Sequence, residues 1–331
     1  MKVSVIILNW NGAKMLEQYL PSVIRHSQQP DIEIVIADNG STDDSLSVAK
    51  RFGCRVIELD RNYGFAEGYN LAIAQTDAEY VILLNSDVEV TSGWIDPLIA
   101  YMDAHPDVAA VQPKVLSWLH KSQFEYAGAA GGYMDKLCYP YCRGRTLSYV
   151  EKDYGQYDTV TDVFWATGAC LCTRTRLYKE LGGLDSDFFA HMEEIDLCWR
   201  MNSRGWRLAC VPQSVIYHLG GGSLNYENPK KTFLNFRNSL IMIYKNLPDE
   251  HFYRVMIARF VLDIAASLHY LLIFKPANAW AVICAWSDYL KRKQQFAAKR
   301  RTNLQAAIVP YPTIIAQRSI LFDYYFRGKR Q

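Results

Sequence analysis

The early part of the chain alternates between short apolar runs and stretches whose apolar residues return every three or four positions. Val3–Leu8, Ile32–Ala37, Arg55–Leu59, Tyr80–Leu84 and Val108–Val111 are brief and rich in strand formers, so they predict strands. Lys14–Ser27, Asp43–Phe52, Ala66–Thr76 and Gly93–His105 carry helical spacing. Strand and helix in turn predict an α/β fold, a mostly parallel sheet with helices on both faces. Polar residues collect where the strands stop: Asn9-Trp10-Asn11-Gly12, Asp38-Asn39-Gly40-Ser41-Thr42-Asp43, Arg61-Asn62-Tyr63-Gly64 and Asn85-Ser86-Asp87. Open α/β sheets bind ligands beyond the carboxyl ends of their strands. Four polar loops on one edge therefore predict a site.

The pattern then loosens. Leu116–Asp158 is rich in Gly and Tyr with weak periodicity, and is expected to be an irregular excursion shaping a substrate pocket. Val160–Thr173 reads as strand interrupted at Thr167-Gly168, close to Trp165, and Arg174–Leu181 as a short helix stopped by Gly182-Gly183. Phe188–Arg204 predicts a helix with Gly205 as its stop. Glu193 and Glu194 fall in its first turn, where the helix dipole favours anions. Asp196 and Arg200 are spaced to pair. Arg207–Pro212 and Ser214–Tyr217 predict strands, the second delivering His218 ahead of Leu219-Gly220-Gly221-Gly222-Ser223.

Residues 1–230 are expected to form one domain in two parts, 1–115 and 116–230. From Lys231 the composition changes, and 231–331 predict a helical region. Phe233–Asn246 is one helix. Arg254–Phe274 is strongly apolar yet holds Arg259, Asp263 and His269 before Lys275-Pro276 breaks it, and Ala277–Leu290 follows. A spanning helix needs about 20 apolar residues and rarely carries three ionisable ones. The pattern instead predicts a helical hairpin, packed on that domain or lying at a bilayer surface. Trp280, Trp286 and Tyr289 precede Lys291-Arg292-Lys293 and Lys299-Arg300-Arg301. Aromatics beside basic clusters suit peripheral contact of 255–301 with an anionic inner leaflet. A solvated basic helix face suits them equally.

Composition narrows this picture slightly. Of 331 residues 50% are hydrophobic and 21% charged, an ordinary globular balance. A net charge of +2 gives no case for nucleic acid as a partner. The N-terminus opens straight into a strand without the pattern of a signal peptide, so a cytoplasmic location is expected. The eight cysteines are then expected as reduced thiols. Neither Cys138 with Cys142 nor Cys170 with Cys172 has a second pair at zinc-finger spacing.

No phosphate-binding Gly-x-x-x-x-Gly-Lys-Ser/Thr, dinucleotide Gly-x-Gly-x-x-Gly, His-Glu-x-x-His or Gly-x-Ser-x-Gly occurs at a strand end. What remains is Asp38, Asp87, Glu193, Glu194, Asp196 and His218. Each alone has a structural reading, as a cap, an ion pair or a strand-end histidine. Together they point to transfer chemistry on a diphosphate. Asp87 and His218 offer oxygen and imidazole nitrogen, suiting Mn²⁺, or Mg²⁺ less comfortably. A divalent ion on two phosphates neutralises charge on a leaving nucleoside diphosphate. A carboxylate at the head of the 193–204 helix can take the proton of an acceptor hydroxyl.

Val-Ile-Ile-Leu-Asn-Trp-Asn (5–11), Ile-Ala-Asp-Asn-Gly-Ser-Thr-Asp (36–43), Asn-Tyr-Gly-Phe-Ala-Glu-Gly-Tyr-Asn (62–70), Leu-Leu-Asn-Ser-Asp (83–87), Phe-Phe-Ala-His-Met-Glu-Glu-Ile-Asp-Leu-Cys-Trp-Arg (188–200) and His-Leu-Gly-Gly-Gly-Ser (218–223) resemble the inverting family 2 glycosyltransferases, nearest their rhamnosyltransferase-like branch. The resemblance covers about residues 1–240. It implies a GT-A fold, a nucleotide-sugar donor, a glycan or lipid-linked acceptor, a divalent metal and one in-line displacement. By position it implies that Asp38 meets the nucleotide base near Asn9 and Asn11, with Asn62, Asn85 and Ser86 also on the donor. Asp87 and His218 match the metal ligands, and Glu194 the catalytic base. Trp165, Thr167, Gly168 and Asp196 are expected to line the acceptor pocket. Asn85 stands where many members have a first Asp. Glu194 replaces an Asp, so its reach is one methylene longer and Glu193 stays an alternative base. A sugar-phosphate nucleotidyltransferase and a non-catalytic scaffold are the rival functions. The first calls for a basic residue in the first loop, where none precedes Lys14.

Overall fold

A computed structural model describes residues 1–220 and 228–328. Gly221, Gly222 and Ser223 of the last motif lie outside the described residues. The early alternation is present as expected: β1 (Val3–Asn9), α1 (Ala13–Arg25), β2 (Ile32–Asn39), α2 (Ser45–Arg51), β3 (Arg55–Leu59), α3 (Gly64–Ile73), β4 (Tyr80–Asn85), β5 (Val88–Val90), α4 (Asp96–Ala104) and β6 (Val108–Ser117). β3, β2, β1 and β4 lie side by side in parallel. Side chains along β1 alternate between two cores. Val5 and Ile7 pack with Leu16 and Leu20 of α1, while Ile6 packs with Ala66, Tyr69 and Ala72 of α3. Burial on both faces is why these strands read as unbroken apolar runs.

The 116–158 stretch is more regular than expected. It contains an antiparallel sheet of β7 (Gly132–Met134), β8 (Pro140–Cys142), β9 (Arg145–Thr146) and β10 (Tyr149–Val150). These strands are too short to impose a period on the sequence. The predicted strand 160–173 resolves into β11 (Thr161–Asp162) and β12 (Cys170–Arg174), followed by α5 (Thr175–Glu180). α6 (Glu193–Ser203) starts five residues later than the predicted Phe188. Phe189, His191 and Met192 stand between, at φ 63°, 72° and 73°, where residues other than glycine are uncommon.

The two strands predicted after Gly205 are one, β13 (Arg207–His218), with a register shift between Val211 and Val215 that absorbs Pro212. β12 runs antiparallel between β4 and β6, and β13 pairs parallel to β6. The large sheet is therefore parallel from β3 to β4 and mixed beyond it.

Helices close the chain: α7 (Pro229–Asn246), α8 (Asp249–Leu272), α9 (Pro276–Arg292), α10 (Ala297–Gln305) and α11 (Ile320–Phe326). α8 and α9 form the expected hairpin, and α7 packs between α6 and α9. A buried ion cluster joins α7 to α6. Lys245 Nζ reaches Asp185 at 2.6 Å and the two oxygens of Asp196 at 2.8 and 2.9 Å. Arg200 Nε donates to Asp196 at 3.0 Å and Asn246 Nδ2 at 2.8 Å. Buried charge is tolerable when answered this fully. Much of the basic tail is likewise spent on structure: Arg292 on Asp187, Lys299 on Asp185 and Asp187, and Arg300 on Asp249.

Candidate active site

Short polar side chains knit the strand-end loops together. Asn9 Nδ2 donates to Asp38 Oδ1 at 3.2 Å and to Ser41 Oγ at 3.3 Å. The Ser41 amide donates to Asp38 Oδ2 at 2.9 Å. Asp38 is thus buried beneath its own loop. The amide oxygen of Asn9, Oδ1, is buried and has no partner among the described residues. Asn11, at φ 49°, accepts from the Thr42 amide at 2.7 Å. Asn62 Oδ1 accepts from Gly64 N at 2.8 Å and Asn39 Nδ2 at 3.2 Å, which fixes the entry to α3.

Asp87 and His218 come together. The hairpin-like return from β4 into β5 lays Val88 opposite His218, and His218 Nε2 lies 3.1 Å from Asp87 Oδ1. Asn85 Nδ2 is 3.4 Å from the same nitrogen. On the ring's other side, His218 Nδ1 is 3.5 Å from Glu125 Oε2. Burial alone would lower the imidazole pKa, but the Asp87 and Glu125 carboxylates outweigh it and hold it at about 10. Burial likewise pushes Asp87 upward, and the His218 charge and hydrogen bond bring it below the ordinary carboxylate value.

Glu194 lies at the same edge of the sheet. A Cβ built on Gly168 would sit 3.8 Å from Glu194 Cδ and 3.3 Å from Phe65 Cζ. Gly168 leads directly into Ala169, whose carbonyl accepts from Asn85 N at 3.0 Å. Thr167 Oγ1 donates to the Ala127 carbonyl, and the Ala127 amide donates to Glu125. Contacts therefore run from Glu194 through Gly168, Thr167, Ala127 and Glu125 to His218 and Asp87.

Desolvation at the head of α6 raises the pKa of both glutamates, Glu193 further through the neighbouring Glu194 charge. Both Oε2 atoms are buried without a hydrogen-bond partner among the described residues, as is Nε2 of His191. Burial, then the Lys231 charge, depress the His191 pKa to about 4. Glu193 is the more deeply buried of the pair, while Glu194 stays partly accessible. The turn ahead of them is clamped to α3: Phe65 N donates to the Phe189 carbonyl at 2.7 Å. A Cβ on Gly64, at φ +79°, would come within 2.6 Å of the Phe189 ring, so only glycine fits.

Two pocket expectations are corrected. Asp196 faces the Lys245 cluster with both oxygens occupied and is fully buried. Its place two residues after Glu194 turns it to another side of the helix. Trp165 is 4% exposed, donates to the Tyr133 carbonyl at 2.9 Å and covers Gly132; it packs the core. Glu125 was missed. It lies in the aperiodic 116–158 stretch, and it reaches His218 only because residues 123–129 run back along β6, with Glu125 N on the Val115 carbonyl.

Residues 4–123 match the family model described as Glycosyl transferase family 2. That stretch is a family 2 glycosyltransferase domain. N-acetylglucosaminyl-diphospho-decaprenol L-rhamnosyltransferase of Mycobacterium tuberculosis is 26% identical over 230 residues, 65% of this chain and 75% of its own length. Among solved structures, Staphylococcus aureus TarS 1-349 in complex with UDP-GlcNAc superposes with a TM-score of 0.59 at 16% identity, covering 99% of this chain and 93% of that one. Mannosyltransferase PcManGT from Pyrobaculum calidifontis, in complex with GDP-Man and Mn²⁺, gives 0.54 at 15%, over 92% and 85%. The glycosyltransferase described here has the GT-A fold.

Proposed function

We propose that this glycosyltransferase moves a sugar from a nucleoside-diphosphate sugar to a hydroxyl of a glycan or lipid-linked saccharide, with inversion, in cell-surface polysaccharide synthesis. The observation that carries the proposal is the meeting of Asp87 and His218 at 3.1 Å, on the sheet edge that also holds Glu194. The decaprenol-linked substrate in the mycobacterial relative's name supports a lipid-linked saccharide as acceptor and work close to a membrane.

The donor set fits a divalent ion. One carboxylate oxygen and one imidazole nitrogen lie 3.1 Å apart, an ion between them would take the place of the proton they share, and two protein ligands would leave positions for diphosphate oxygens. Asp87 and His218 would hold it, with Glu125 keeping the imidazole turned so that Nε2 faces Asp87. The imidazole favours Mn²⁺ over Mg²⁺, in line with the ion named for PcManGT. When bound, the ion would offset the charge that grows on the departing diphosphate.

Glu194 is the base. Its free Oε2 takes the acceptor proton while the acceptor oxygen bonds to the anomeric carbon, whose bond to the diphosphate oxygen breaks on the opposite face. A raised pKa makes the carboxylate a better proton acceptor once it is ionised. Thr167 and Gly168 floor the acceptor side beside it. On the donor side Asn9 Oδ1 remains free for the nucleotide, and Asp38, Asn11 and Asn62 hold the loops that receive it, with Asn85 and Ser86 below the sugar.

The purified protein, incubated with a panel of nucleotide sugars, Mn²⁺ and a lipid-linked saccharide, should release nucleoside diphosphate with one donor and not with Glu194→Gln. Release of pyrophosphate from a nucleoside triphosphate and a sugar phosphate would replace this reading with a nucleotidyltransferase.

A further inference from the structure

The hairpin turns an apolar face outward. Tyr253, Ile257, Phe260, Ile264, Leu268 and Leu271 are all exposed and follow one another at the 3.6-residue period, a straight stripe about 27 Å long at 1.5 Å per residue. Leu272 (77% exposed) and Phe274 (92% exposed) continue it around the turn, and Trp280, Ile283 and Leu290 lie open on α9. Soluble monomers rarely leave so large a contiguous apolar patch to water.

By length and composition α8 is able to cross a bilayer, but its inner face argues for another arrangement. Arg259 and Asp263 are buried there. The Arg259 guanidinium stacks 3.9 Å over the Tyr139 ring and donates to the Cys138 carbonyl. Asp263 accepts from Tyr139 at 3.1 Å and from Trp286 at 2.9 Å. Crossing a membrane would strip both ions of these partners, which is costly. Lying flat keeps every one of them.

The charges around the stripe identify what it lies on. From residue 251 to 287 the only carboxylate in the sequence is Asp263, which faces inward; exposed Glu250, beside His251, stands one turn ahead of Tyr253. Exposed Arg254 beside Tyr253, and exposed Lys291 and Lys293 after Leu290, bound it at one end, and half-buried Lys275 follows Phe274 at the other. Apolar side chains framed by cations are complementary to acyl chains under anionic headgroups.

We infer that the outer face of α8, with the turn and the adjoining face of α9, lies in the plane of an anionic lipid bilayer. The inference rests on these helix faces and stands apart from the sugar-transfer reading. In flotation, the full chain should rise with phosphatidylethanolamine–phosphatidylglycerol vesicles, less at high salt, and stay down with phosphatidylcholine. Ile264→Glu with Leu268→Glu should cut binding about tenfold or more, while donor binding and the melting temperature hold. Arg254→Glu with Lys291→Glu should remove the preference for phosphatidylglycerol. The Trp280 emission should shift to the blue on vesicle addition, a signal independent of any variant's folding. Failure of the wild type to float would overturn the inference. So would a dimer in light scattering that the Ile264/Leu268 variant dissociates, since the stripe would then belong to a second copy.

Discussion

The loops after β1, β2 and β3 and the turn ahead of α6 adjoin one another at one edge of the sheet, yet they are built on opposite terms. In the loops, Asn9, Asn11, Asp38, Asn39 and Asn62 nearly all find partners within a few residues of a strand end. In the turn, three residues other than glycine sit at positive φ, and polar atoms of His191, Glu193 and Glu194 are buried unanswered among the described residues. Strain and unmet polar groups persist where the surroundings enforce them, and they cluster at working sites. The loops are a finished receptacle. The turn and helix head hold the atoms still available for chemistry.

The contrast breaks most visibly at the proposed metal ligands. Asp87→Ala should lower turnover by roughly 10³-fold or more and abolish its dependence on Mn²⁺, measured by nucleoside diphosphate release across an Mn²⁺ titration. Retained, metal-dependent activity would remove Asp87 from the site.

Next in size is the helix head. Glu194→Gln should cost about 10²- to 10⁴-fold in kcat, and Glu193→Gln far less; the reverse order would transfer the role of base. Since the base acts ionised and its pKa lies above the usual carboxylate range, kcat should fall as pH drops through that raised value. A pH–rate profile of the wild type, flat in Glu194→Gln, checks this.

Removing the cation that steadies α6 comes third. Lys245→Ala leaves Asp185 and Asp196 buried without it and should cost about 3–5 kcal/mol in urea unfolding. The smallest effect concerns Glu193 and stability. Its folded-state pKa is raised, so the stability it contributes is full below its unfolded pKa and is lost as pH rises toward the folded value. Glu193→Gln should therefore be more stable than the wild type at neutral pH, with the gap closing below about pH 4.5. Thermal melts at both pH values test the sign.

The sheet was readable because its strands are buried on both faces and its loops are punctuated by Asn, Asp and Gly, signals that act over a few residues. Asp87 and His218 stood out for the same reason, each ending a strand. Asp196 and Trp165 were misassigned because proximity in sequence says nothing about which side of a helix or loop meets the cleft: Lys245, 49 residues further on, claims the first and Gly132 the second. Glu125 escaped notice because its partner is far along the chain and its own segment has no period. The late start of α6 is also tertiary. Phe189 to Met192 follow the dictates of α3 and Gly64 rather than their own helical spacing.

Gly64 gives that arrangement a further meaning. A methyl group there would collide with the Phe189 ring, so the gap between the loop after β3 and the segment leading to the proposed base is one hydrogen atom wide. Whatever shifts the first must shove the second. On the proposed roles, seating the donor and aiming the proton acceptor would be geared to each other through a single missing side chain.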